Sequence, residues 1–155
     1  GTGRDREELK RRRREDLPAS ATGLPWLVVA PASVARVWME HLETWGHFST
    51  YHLESGKEID GLASSLRARR LEVVVTSYDL LRTHVTRLRD TRFDAVLFDE
   101  YHTLKSSSSR VSQAALDLDK RRVFGLTGTI IQNDMKELWF LTHLIDPNAV
   151  GEQVR

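Results

Sequence analysis

From Trp26 onward the chain alternates short apolar runs with stretches in which apolar residues recur every three to four positions. "WLVVA" is a continuous apolar run of strand length, and in the following "SVARVWMEHLETW" Val34, Val37, Trp38, Leu42 and Trp45 fall on one helical stripe. "FSTYHLE" and "IDGLASSLRARR" repeat the alternation more weakly, since Gly61 interrupts the helical stretch. "LEVVVTSY" then predicts a strand and "DLLRTHVTRL" a helix. "FDAVLFDE" is followed by a helix around "RVSQAALDL", and "RRVFGLTG" by "MKELWFLTHLI", which ends before Pro147. Runs of Val, Leu and Phe without polar alternation belong to strands covered on both faces. The pattern therefore predicts an α/β fold, a mostly parallel sheet of about five strands flanked by helices.

The first sixteen residues, "GTGRDREELKRRRRED", break the pattern. They can form a solvated helix but offer no apolar face to a core. Pro18, Gly23 and Pro25 then mark a linker, so residues 1–25 are expected to be a charged tail or insertion and 26–155 the folded domain. A length of 155 residues suits one core, and 40% hydrophobic with 29% charged residues is the ordinary soluble range. No apolar run nears the roughly 20 residues that span a bilayer, so no membrane partner is expected. With no cysteine, disulfides and thiolate metal sites are excluded, and an intracellular setting is expected. Net charge is +1, yet Lys10 to Arg14 form a basic run, and Arg67, Arg69, Arg70, Arg82, Arg87, Arg89 and Arg92 crowd the middle third. The run, interleaved with acids, reads as solvated surface, and so do the arginines of the helical stretch.

In open parallel sheets ligands gather beyond the carboxyl ends of the strands. Three apolar runs end there in polar chemistry: Thr76, Ser77 and Tyr78; Asp99 and Glu100; and Thr127, Gly128 and Thr129. A carboxylate at a strand tip can hold hydrated magnesium against phosphates, and a second can orient or deprotonate an attacking water. The dipeptide alone suits a solvated acidic turn better than a catalytic site. The serine tract after it reads as a flexible polar loop.

"DEYH" and "GLTGTIIQNDMKELW" together resemble motifs II and III of superfamily-two helicases, specifically the Swi/Snf-type DNA translocases. "LVVAPASVARVWMEHLETW" is similar to motif Ia and its helix, and "VVVTSYDLLRTH" to motif Ib. The likeness runs from about Trp26 to Pro147 and is nearest to the branch of Cockayne syndrome group B. It implies a RecA-like first lobe of the phosphate-loop NTPase type and a DNA-dependent ATPase that uses ATP and Mg2+. It also implies double-stranded DNA or chromatin as partner, a role in chromatin remodelling or DNA repair, and a nuclear setting. Residue by residue it makes Asp99 the magnesium ligand and Glu100 the activator of water. His102 would couple the nucleotide site to Thr127 and Thr129, and Gln132 would lie near the cleft between lobes. Pro31, Ser33 and Val34 would lie along the DNA backbone, followed by Thr76, Ser77 and Tyr78.

The chain also departs from that family. Tyr101 replaces a small residue and is expected to crowd the site. No G-x-x-x-x-G-K-[ST] occurs, and "ESGKE" around Lys57 lacks both the glycine turn and the following hydroxyl. The phosphate-loop strand, which in the family lies beside the "GLTGT" strand, is thus missing, "RRVFGL" is expected to keep an unpaired edge, and the fragment itself is expected to be inactive. Two rival readings are a non-catalytic DNA- or protein-binding module and an unrelated magnesium phosphohydrolase built on Asp99 and Glu100. Trp38, Trp45 and Trp139 read as core packing. His41, His47, His52, His84 and His143 show no metal spacing, and Asp134 with Glu137 suggests a cap for the last helix.

Overall fold

Five apolar runs pair as predicted. The computed structural model describes residues 3–15, 23–67, 71–104, 106, 108–128 and 135–148. After helix α1 (Gly3–Glu15) come β1 (Trp26–Ala30), α2 (Ala32–Gly46), β2 (Thr50–Leu53), α3 (Ile59–Arg67), β3 (Val73–Ser77) and α4 (Tyr78–Leu88). Then follow β4 (Ala95–Asp99), a single 3-10 turn (Tyr101–Thr103), α5 (Arg110–Asp117), β5 (Val123–Leu126) and α6 (Met135–Ile145). All strand pairs are parallel, in the order β2-β3-β1-β4-β5.

Each face of the sheet has its own core, which explains why the strands lack polar alternation. Leu27, Val29, Val74, Val96 and Phe98 pack with Leu62, Leu81, Leu88, Ala115, Phe140 and Leu144 of α3, α4, α5 and α6. Val28, Val73 and Val75 point the other way, onto Ala35, Trp38, Met39 and Leu42 of α2. This corrects the phase read for α2. The buried stripe centres on Ala35, while Val37 is 42% and Trp45 80% exposed. A five-residue strand rises about 17 Å and a fifteen-residue helix about 22 Å, so α2 is about one turn longer than the strand it follows. Trp45, in the last turn of α2, is not core. Trp139 does pack as read, against the first core with its ring stacked on His143.

In helix α1 the Glu8 carboxylate lies 2.8 Å from Arg11 and 2.9 Å from Arg12. The two guanidinium groups hold the Glu8 carboxyl down at about 2. "ESGKE" is a capping turn: the backbone N–H groups of Glu54 and Ser55 donate to the Glu58 carboxylate just ahead of α3. Arg69, Arg70 and the suggested cap at Asp134 lie outside the described residues.

Among the described residues β5 has a strand neighbour on one side only, β4. Phe124 and Leu126 on it are 43% and 45% exposed, and the Phe124 ring stacks on Trp26. An apolar, one-sided strand edge is a template for association. The 155-residue chain is therefore expected to self-associate as concentration rises. Phe124→Lys should return it toward the monomer in sedimentation velocity, and an unchanged distribution would discount this edge.

Candidate nucleotide and DNA site

Because every strand runs the same way, the carboxyl ends of β3, β1, β4 and β5 meet on one edge of the sheet. Register aligns Ser77 with Ala30 and Asp99 with Leu126. Asp99 is the last residue of β4, anchored from beneath by Phe98, whose buried ring lies between those of Tyr78 and Tyr101. Its carboxylate accepts two hydrogen bonds, Oδ2 from the Trp38 indole N–H at 2.8 Å and Oδ1 from the Glu100 backbone N–H at 2.9 Å. The Asp99 carbonyl accepts a third, from the Tyr78 hydroxyl at 2.5 Å. Burial, reinforced by the Asp99 and Glu100 carboxylates, pushes the Tyr78 hydroxyl far above the usual tyrosine range, so it stays a donor at neutral pH.

Glu100 takes a left-handed backbone conformation, φ 50° and ψ 50°. For a residue with a Cβ this costs about 1–2 kcal/mol, and strain of this kind collects where a site needs a side chain turned out of line. Here it swings the chain off β4 into the Tyr101–Thr103 turn and leaves the Glu100 carboxylate half-exposed beside His102. His102 Nδ1 is 3.3 Å from Glu100 Oε2 and 2.8 Å from Thr127 Oγ1. One ring nitrogen thus touches both the acidic tip of β4 and the residue just after β5. A proton on Nδ1 makes it a donor, and the other tautomer lets the Thr127 hydroxyl donate to it. Thr129 and Gln132 lie outside the described residues.

Tyr101 does not crowd this edge. The turn at Glu100 sends its ring inward, where it is buried against Phe98 and over Gly125 of β5. A Cβ on Gly125 would fall 2.5 Å from a ring carbon, so the glycine makes the room that the ring fills. The hydroxyl donates to the Leu141 carbonyl of α6, and burial raises its pKa well above the ordinary tyrosine value. A small residue is not needed at this position because the side chain leaves the site altogether.

The six residues assigned to a DNA track divide by burial. Ser33 is exposed, while Pro31, Val34 and Ser77 are half-buried, with Pro31 immediately preceding α2. Ser77 caps α4, its hydroxyl accepting the Leu80 N–H at 3.2 Å. Thr76 is fully buried and bonds the Leu53 carbonyl, and Tyr78 is spent on Asp99. These two cannot offer their side chains to a phosphate, because their strand row and helix start face the core. Trp38 is the residue that sequence reasoning missed at the site. Its one signal was chemical: a buried indole usually finds an acceptor for its N–H. The serine tract does more than loop, since the Ser109 hydroxyl accepts the Ser112 N–H at 3.1 Å and starts α5.

Among the described residues no group of three or more His, Asp or Glu side chains is placed to hold a metal alone. Magnesium suits such a site nonetheless, since it usually takes one or two carboxylates and fills its shell with water and phosphate. Each Asp99 oxygen, with one hydrogen bond accepted, keeps a lone pair for that purpose.

The SNF2-related domain, as a family, matches residues 4–154. The chain is 34% identical over 137 residues to DNA excision repair protein ERCC-6-like 2 of Mus musculus, covering 88% of this chain and 9% of that protein. To DNA repair and recombination protein RAD54-like of Gallus gallus it is 33% identical over 134 residues, 81% of this chain and 18% of that protein. It thus spans only a small part of the curated relatives that it matches. The Sulfolobus solfataricus SWI2/SNF2 ATPase core, solved in complex with dsDNA, superposes with a TM-score of 0.68 at 25% identity over 81% of this chain and 26% of that one. Sheet order, the acidic tip of β4 and a match over nearly every residue agree: the chain belongs to the SNF2-related domain family, with the RecA-like α/β fold of the SWI2/SNF2 ATPase core.

Proposed function

We propose that residues 26–155 are part of the ATP-binding lobe of a DNA-dependent translocase acting in chromatin remodelling or DNA repair in the nucleus, with residues 1–25 a charged appendage. The observation that carries this reading is the His102 contact, which joins Glu100 at the end of β4 to Thr127 after β5. Asp99 would hold the magnesium ion of a bound ATP, an ion that would supply positive charge against the phosphates. Glu100 orients and deprotonates the attacking water. His102 and Thr127, with Thr129 beyond, pass the state of the nucleotide to the second lobe, and Gln132 lies near the cleft between lobes. The 155 residues hold no phosphate-loop sequence, so the half of the site that cradles the phosphates is not among them. Ser33 together with the chain at Pro31, Val34 and Ser77 follows the phosphate backbone of duplex DNA.

Fluorescence anisotropy with a labelled duplex tests the DNA half of this reading. Affinity is expected to fall steeply between about 50 and about 200 mM salt, in proportion to the phosphates contacted. Ser33→Glu should weaken binding by placing a like charge against the backbone. Absence of binding at the lowest salt would remove DNA as the partner of these residues.

A further inference from the structure

The two segments assigned to DNA, which meet the edge at α2 and at the β3–α4 junction, are both hydrogen-bonded to one residue of the nucleotide half. Trp38, two turns into α2, donates to the Asp99 carboxylate, and Tyr78, the first residue of α4, donates to the Asp99 backbone carbonyl. Neither contact is local, for 61 residues separate Trp38 from Asp99 and 21 separate Tyr78 from it. Both are partly shielded from water, where a hydrogen bond to a charged or polarised oxygen is stronger than at the surface. Both donors are also fixed by packing: the Trp38 ring lies against the core beneath α2, and the Tyr78 ring stacks on Phe98. A shift of either segment therefore reaches Asp99 through a short, stiff path. The N–H of Glu100 is bonded to the same carboxylate, so the turn that aims Glu100 moves with it.

We infer that Trp38 and Tyr78 are positioning residues that carry DNA engagement at α2 and at Ser77 directly to the Asp99 carboxylate and the Glu100 turn. This rests on the proposed function, and it adds a route to hydrolysis that bypasses His102 and Thr127. A ligand can bias two arrangements of a site only through contacts that differ between them. These two hydrogen bonds are such contacts, since DNA need only move α2 or the start of α4 to lengthen or shorten them.

The test is the 1H–15N spectrum of the 155-residue chain, in which the Trp38 indole signal is the one missing from Trp38→Phe. Asp99→Ala is expected to move that signal and to speed its exchange with water by about ten- to a hundredfold, the scale of one charge-assisted hydrogen bond. Duplex DNA should then shift the amides of Ser33, Val34 and Ser77 in the parent, and those of Asp99 and Glu100 with the same saturation curve. In Tyr78→Phe, which keeps its ring, and in Trp38→Phe, which keeps a smaller aromatic side chain, the first group should still respond while the response of Asp99 and Glu100 falls. Should Trp38→Phe not fold, Tyr78→Phe, which leaves the Asp99 carboxylate and its bond from the Glu100 N–H in place, carries the test. An undiminished response of Asp99 and Glu100 in the variants overturns the inference and leaves the proposed function standing. An indole signal indifferent to Asp99→Ala also overturns it. If Ser33, Val34 and Ser77 never respond to DNA, the DNA reading fails and the inference with it.

Discussion

Phe98→Ala is expected to remove about 3–5 kcal/mol of folding stability, a large share of what holds the chain folded. Phe98 has no exposed surface and sits on β4, with the Tyr78 and Tyr101 rings on either side. Truncating a buried phenylalanine costs about 3–5 kcal/mol in lost transfer energy and cavity. A domain of ordinary stability has only about 5–15 kcal/mol to lose. The loss should be visible as a lower urea midpoint followed by tryptophan fluorescence, and Phe98→Leu, which keeps most of the volume, should lose under about 1.5 kcal/mol. A Phe98→Ala midpoint within error of the parent would show that the three rings do not hold the end of β4. The consequence for the site is direct, since Asp99 follows Phe98 and its carbonyl is held by one of those rings.

The second large effect is expected at Glu100. In a polypeptide that places a phosphate loop ahead of these residues, Glu100→Gln should lower DNA-stimulated ATP turnover by about 10²- to 10⁴-fold, the usual worth of a general base. ATP affinity should hardly change, because the amide is isosteric and the left-handed turn carries the same strain with either side chain. A coupled assay for ADP measures this, with the 155 residues alone as a control expected to show no turnover. Turnover within a few-fold of the parent would take Glu100 out of the water-activating role.

Much of the fold was legible because its strands are buried twice. A strand such as "WLVVA" cannot alternate when both faces meet helices, and that failure to alternate identified the parallel sheet. The acids were legible because they end an apolar run. What stayed hidden was direction. Helical periodicity put Trp45 on the same stripe as Trp38, but where the sheet ends is set by strand length and not by the helix sequence. Tyr101 was expected to crowd the site because it stands where the family has a small residue, whereas a positive φ one residue earlier turns it into the core. Thr76 was assigned to the DNA track by the family resemblance, yet the row it occupies is covered and its hydroxyl bonds the Leu53 carbonyl. The bonds of Trp38 and Tyr78 to Asp99 join residues far apart in sequence and leave no local pattern to read.

The central strand has a further consequence, for the birth of the protein. Trp26 of β1 pairs with Val73 on one side and with Ala95 on the other, so both neighbours of the first strand are made long after it. Pairings this distant in sequence slow folding toward the millisecond-to-second range. A ribosome adds roughly 5–20 residues each second, so β1 waits for seconds without either partner. Over that interval the apolar run "WLVVA" has neither strand neighbour, and the acidic site cannot form before β4, which carries it, has been made and paired with β1.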